Sequence, residues 1–161
     1  MPGPADDGPV TRDDVLPAGA RQCFACGDAN PIGLQLGDIR REDDEVRATL
    51  HPRPEYQGYP GVLHGGLSAT ALDEVMGYSA ILLAGIWAAT ATMDLRYRAQ
   101  VPYDAPLPLV AGLIDTRGRR VRAWARLHLP GGGVAVEAKG LLVALPEEVA
   151  ARARELYGPM A

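Results

Sequence analysis

This chain has little lysine and little cysteine. It also has no long apolar run and no excess of positive charge. Lys139 is the only lysine among 16 basic residues, and there are two cysteines, too few for a disulfide scaffold. No uninterrupted apolar run approaches the roughly 18 residues that a membrane-spanning helix needs. The 20 acidic residues outnumber the 16 basic ones. This balance argues against nucleic acid or an anionic membrane as the main partner.

The first part of the chain shows no residue pattern typical of a signal sequence. Residues 1–17 are rich in proline and aspartate and show no basic-then-apolar pattern. We therefore expect an extended or disordered segment over residues 1–17, a single domain over residues 18–161, and a cytoplasmic location.

What is present is concentrated in the stretch Gly58–Ala84. It passes through the turn His64-Gly65-Gly66 and becomes an apolar run that predicts a helix over residues 66–84. Paired glycines at a helix start leave backbone N–H groups uncovered. Asp73 and Glu74 interrupt the run, and a carboxylate in an apolar helix is costly unless it is hydrogen-bonded or functional.

The spacing between the turn and the acid is informative. Asp73 follows His64 by nine residues, which puts the two on opposite faces of a helix and about 13 Å apart along its axis. One chain therefore cannot bring both into a small site. A second copy related by a two-fold axis could do so, and we expect a site built between subunits.

The remaining pattern is that of short strands joined by hairpin turns. The segments with alternating or apolar patterns are residues 36–40, 45–51, 89–100, 107–116, 121–129 and 134–145. They predict an antiparallel sheet of five to six strands. Pro146–Tyr157 is typical of a short solvated helix with proline at its start. The predicted fold class is α+β, with one long central helix wrapped by the sheet.

Cys23 and Cys26 form a Cys-x-x-Cys pair. A structural zinc site needs four ligands, and the sequence has no second pair. We interpret both as small buried residues on a turn, with metal binding or redox chemistry as the alternative. The prediction is that the chain has no metal site and no cofactor.

Several motifs resemble those of hotdog-fold acyl-CoA thioesterases of the PaaI-like group. They are residues 61–66 with the acid pair at 73–74, then 94–102, and near the start residues 23–27 and 30–34. The resemblance implies a hotdog fold and hydrolysis of an acyl-CoA thioester to a carboxylic acid and coenzyme A. It also implies a homodimer, expected to pair into a dimer of dimers.

The resemblance also implies roles for the central residues. The backbone N–H of Gly65 or Gly66 would polarise the thioester carbonyl. Asp73, donated by the neighbouring subunit, would act as general base or nucleophile. His64 would brace the turn or take part directly, and Glu74 is the second candidate acid.

Further positions are expected to contact the substrate. Thr92 falls where related enzymes place a Ser or Thr that positions water. Gly58 replaces an asparagine common in relatives, and Gln57 could substitute for it. Further candidates for the cleft wall and the coenzyme A phosphates are Tyr59, Arg96, Arg98 and Arg120. Because this asparagine is missing, the alternative function is a non-catalytic acyl-thioester binder. A hotdog dehydratase is disfavoured, because the sequence shows no Asp and His pair of the kind typical of that group.

Overall fold

A computed structural model describes residues 21–157, so the prediction for residues 1–17 lies outside the described part of the chain. The described residues form two α-helices and six β-strands. The strands are β1 (Gly37–Glu42), β2 (Glu45–Leu50), β3 (Ala88–Tyr97), β4 (Leu107–Arg117), β5 (Arg120–His128) and β6 (Val134–Ala144). The helices are α1 (Gly65–Ala84) and α2 (Glu147–Tyr157).

Helix α1 has a defined cap at each end. At its start the His64 side chain accepts a hydrogen bond from the backbone N–H of Gly66. At its end Gly85 adopts a left-handed conformation (φ 68°), and its N–H bonds to the carbonyls of Ala80 and Ile81. Glycine adopts this conformation without the steric cost of a Cβ atom. The predicted end of the helix at residue 84 is therefore confirmed.

The strands form one antiparallel sheet in the order β1-β2-β4-β5-β6-β3. Helix α1 packs against the sheet, which wraps it, and this confirms the α+β prediction with six strands. The predicted end of β3 at residue 100 was wrong. The N–H groups of Arg98 and Ala99 both bond to the carbonyl of Ala135, so the regular ladder stops at Tyr97.

The core lies between α1 and the concave face of the sheet. Fully buried leucines and valines from both sides meet there, for example Leu72 on α1 with Leu107 and Leu127 on the strands. Each such side chain contributes about 1.5–3 kcal/mol of apolar burial. Helix α1 has the length and composition of a membrane-spanning helix, but 50% of that apolar window is buried inside the fold. A helix enclosed by its own sheet has the same composition.

Candidate active site

The turn before α1 is held from two sides. The N–H of His64 donates to the carbonyl of Tyr56 at 2.8 Å, and the N–H of Leu63 donates to the carbonyl of Val101 at 2.7 Å. These bonds join the turn to the loop just before it, at Tyr56, and to a distant segment after β3, at Val101. The start of α1 is therefore fixed in place.

The two glycine amides of the turn differ in their partners. The N–H of Gly66 donates to His64 Nδ1 at 3.0 Å, so it serves as part of the helix cap. Within residues 21–157, the Gly65 N–H has no hydrogen-bond acceptor. The sequence left the choice between Gly65 and Gly66 open. The structure leaves Gly65 as the free donor and places His64 as the group that occupies the other amide.

Gly65 is also held by the end of β3. The Tyr97 hydroxyl donates to the carbonyl of Gly65 at 2.8 Å. A Cβ atom at Gly65 would lie 3.3 Å from the Tyr97 ring, which is a tight contact. Tyr97 was missed by the sequence reasoning, although its position in the alternation of β3 places it on the same face as Leu95.

A cleft of about 760 Å³ opens beside Gly65. Gln57, Tyr59 and Arg98, three of the candidates for substrate contact, line this cleft, and Tyr59 is 83% exposed. The Ser68 hydroxyl also lines the cleft, is buried, and has no hydrogen-bond partner among the described residues. Buried polar groups are normally paired, so an unpaired hydroxyl in a cleft marks a contact available to a ligand. Sequence reasoning missed Ser68.

Gly58, which replaces the asparagine common in relatives, is a sterically restricted position before the turn. A Cβ atom at Gly58 would lie 3.1 Å from the Cα of His64, tighter than most real contacts. The backbone of this chain therefore accommodates glycine there better than a larger residue. Gln57 lies next to it, and its side-chain oxygen accepts from the Gly61 N–H at 3.4 Å, which orders the loop.

Asp73 lies on α1 away from the cleft. Its carboxylate accepts a hydrogen bond from the Thr90 hydroxyl at 2.7 Å. Eight residues separate Asp73 from Gly65, which is about 12 Å along the helix. Asp73 is not among the residues that line the cleft. Within one chain the acid and the free amide are therefore apart, as their spacing predicted.

The hydroxyl beside Asp73 belongs to Thr90 and not to Thr92. The β3 ladder shifts register between these two residues, a β-bulge. Thr90 pairs with the buried Leu142, whereas Thr92 pairs with Leu141, on the face of the sheet that points away from α1. A strict two-residue alternation would have put both threonines on one face. Thr92 is therefore not placed to position water beside Asp73 of its own chain.

The remaining predicted arginines lie away from the cleft. Arg96 is exposed in a groove on the outer face of the sheet, and Arg120 is exposed at the start of β5. Arg98 is paired with Glu137 at the rim of the cleft. Of the three, only Arg98 is positioned to meet a substrate bound in the cleft of the same chain.

Glu74 contacts the two cysteines instead of the cleft. The Cys23 Sγ lies 3.6 Å from the Glu74 carboxylate. Burial raises the pKa of the Glu74 carboxyl to about 7, because desolvation disfavours its charged form. A hydrogen bond from Cys26 and two backbone N–H groups lower the pKa of the Cys23 thiol to about 5. If Cys23 and Cys26 were only small buried packing residues, the position of the Glu74 carboxylate beside them would have no explanation.

Comparison with known proteins gives a consistent result. Residues 60–136 match the family model described as the thioesterase superfamily. Acyl-coenzyme A thioesterase THEM4 from Bos taurus is 27% identical over 101 residues, which cover 62% of this chain and 41% of that protein. The crystal structure of protein RHA08564, described as a thioesterase superfamily protein, aligns with a TM-score of 0.71 at 32% identity.

That alignment covers 76% of this chain and 60% of RHA08564. This chain therefore spans less than two thirds of the length of both relatives. The E. coli PaaI protein from the phenylacetic acid degradation operon aligns with a TM-score of 0.65 at 13% identity, over 75% of this chain and 84% of that one. At this identity the likeness shows a shared fold.

Proposed function

We propose that this chain, which matches the thioesterase superfamily model over residues 60–136 and has the hotdog fold, is an acyl-CoA thioesterase. It would convert an acyl-CoA and water into a carboxylic acid and coenzyme A. The observation that carries the proposal is the free Gly65 N–H, which lies at the start of α1 beside the cleft. A helix N-terminus and an unpaired amide together stabilise developing negative charge on a carbonyl oxygen.

The proposed site is completed by a second copy of the chain. Strand β3 contacts both halves of the site. Tyr97 of this strand bonds to Gly65, and Thr90 bonds to Asp73. The two strand residues are seven positions apart, roughly 23 Å along a strand. An antiparallel two-fold pairing of β3 with β3 of a partner, centred between Met93 and Asp94, would place the Thr90 end of one strand beside the Tyr97 end of the other. Asp73 would then approach the partner's Gly65.

The exposure of β3 supports this pairing. It is one of the two edge strands of the sheet, and each of its ten residues is exposed or half-buried. Its first six residues, Ala88 to Met93, carry no charge. Long uncharged edges are available for strand pairing and are usually protected in a monomer. A partner strand would cover this edge and satisfy its backbone groups.

The proposed chemistry then runs in two steps. Asp73 removes a proton from water as the water oxygen attacks the thioester carbon, and the Gly65 N–H of the other subunit stabilises the oxyanion. The oxyanion collapses, the carbon–sulfur bond breaks, and the thiolate of coenzyme A takes the proton back from Asp73. Thr90 holds one carboxylate oxygen, which leaves the other free for water.

The cleft indicates how the substrate is held. Ser68 offers a buried hydroxyl on the cleft wall and Arg98 a cation at its rim. The guanidinium of Arg98 is suited to a phosphate of coenzyme A, because it presents several donors in one plane.

A panel of aliphatic and aromatic acyl-CoAs tests the activity. Release of free coenzyme A, followed with a thiol-reactive dye, should be faster than the uncatalysed rate for at least one member. The alternative is a non-catalytic acyl-thioester binder, for which the panel would give binding by calorimetry without release from any member. That outcome would reject the thioesterase proposal.

Mixing two inactive variants tests the shared site. Asp73→Asn removes the base and Gly65→Pro removes the amide donor, so each homodimer should be nearly inactive. Random pairing makes half of the dimers mixed, and each mixed dimer keeps one of its two sites intact. Activity after co-expression should therefore recover to about a quarter of wild type.

The double variant carrying both changes in one chain is the control for this experiment. Co-expressed with wild type, it should give mixed dimers in which neither site is intact. Co-expression of the two single variants with no recovery, although mixed dimers are recovered by tandem affinity tags, would contradict a site shared between subunits.

A further inference from the structure

The turn at Cys23–Gly27 has the backbone of a metal-binding knuckle. The N–H of Gly27 donates to the carbonyl of Cys23 at 2.9 Å, and the N–H of Cys26 points at Cys23 Sγ at 3.5 Å. A Cβ atom at Gly27 would lie 2.4 Å from the carbonyl oxygen of Arg21, so only glycine fits there. The turn thus presents two sulfur atoms on one side. The Cys26 N–H stabilises the Cys23 sulfur as a hydrogen-bond acceptor.

A carboxylate from a different element completes the cluster. Glu74 reaches the turn from α1, and the ligand atoms of Cys23, Cys26 and Glu74 all lie within 4.8 Å of one another. Zinc binds thiolate at about 2.3 Å and carboxylate oxygen at about 2.0 Å, so the sulfur-to-oxygen edge of a tetrahedral site is about 3.5 Å. The observed distance from Cys23 Sγ to the Glu74 oxygen is 3.6 Å.

Neighbouring groups hold these ligands in place. The Tyr78 hydroxyl, one helical turn after Glu74, lies 3.4 Å from Cys26 Sγ. The N–H groups of Leu34 and Leu36 bond to the carbonyls of residues 24 and 25, which anchors the turn. Outer contacts of this kind orient metal ligands and strengthen binding. Three ligands held by their surroundings are a preformed site.

We propose that Cys23, Cys26 and Glu74 bind a zinc ion, with water in the fourth position. Two thiolates and one carboxylate match the ligand preference of Zn²⁺, and three protein ligands plus water is a known zinc arrangement. The ion would fasten the turn to α1 directly beside Asp73. The ion is expected to stabilise this end of the domain, because a metal ion that binds only the folded state raises the free energy of unfolding.

Zinc titration of the full chain tests the site. The reduced protein, stripped with a chelator, should take up one Zn²⁺ per chain in competition with a chromophoric chelator, and its thermal midpoint should rise. Co²⁺ should give a thiolate charge-transfer absorption band. Cys23→Ser and Glu74→Gln should each weaken zinc binding by more than the roughly 10- to 100-fold that loss of an outer partner costs.

Glu55→Gln is the matched control, because Glu55 is an exposed acid outside the cluster and should keep wild-type affinity. Circular dichroism of the metal-free variants checks the fold, and Glu74→Gln decides the matter if Cys23→Ser does not fold. Undiminished affinity in Glu74→Gln would overturn the proposal. So would a reduced chain that takes up no zinc and keeps its two cysteines as packed thiols.

Discussion

Asp73→Asn is expected to lower kcat by roughly 10²- to 10⁴-fold, which is the usual contribution of a positioned general base. The amide oxygen of asparagine can still accept the hydrogen bond from Thr90. The geometry around residue 73 therefore persists while the proton acceptor is lost. KM should change little, because the base acts in the transition state and not in substrate binding. Steady-state kinetics on the best acyl-CoA of the panel measures both constants.

Asp44→Asn is the matched control for this substitution. Asp44 is an exposed residue in the turn between β1 and β2, and its variant should retain wild-type kcat. Asp73→Asn that keeps more than about a tenth of the activity would show that another group activates water. The mechanism proposed here would then be wrong even if the thioesterase activity itself were confirmed.

Gly65→Pro is expected to lower kcat by roughly 10²- to 10³-fold, the cost of removing one donor from an oxyanion hole. Proline lacks the N–H but suits this place, because it is favoured at the first position of a helix. It also requires an extended residue before it, and His64 has φ −60° and ψ 129°. The substitution therefore removes the donor with little expected effect on α1.

Gly65→Ala separates the loss of the N–H from the added bulk. Both variants carry a Cβ atom that would lie 3.3 Å from the Tyr97 ring, but only alanine keeps the donor. We expect alanine to retain far more activity than proline. Equal losses in the two variants would attribute the effect to the contact with Tyr97, and a loss confined to KM would indicate a blocked cleft instead of a missing donor.

Part of the site could be read from the sequence because it depends on neighbours along the chain. The end of α1 at Gly85 follows from a residue type with a strong local preference for the left-handed conformation. The separation of Gly65 from Asp73 follows from helical geometry alone. The cytoplasmic location and the pairing of dimers into tetramers stay predictions.

Other parts depended on contacts that local patterns do not contain. The bulge in β3 exchanges Thr92 for Thr90 beside Asp73, and no residue of the alternating pattern marks it. Which glycine amide stays free depends on where the His64 ring turns. Both outcomes result from packing between α1, the sheet and the loop before the helix.

By itself, the sequence determined the order of helix and strands, the glycine turn at the start of α1, and the distance between that turn and Asp73. Periodicity and capping act over a few residues, so they are written locally. Only the tertiary structure decided that Glu74 meets Cys23, 51 positions earlier, and that Tyr97 and Thr90 link β3 to the two halves of the site. Such contacts arise when distant segments are packed together, and their geometry is set by the whole core.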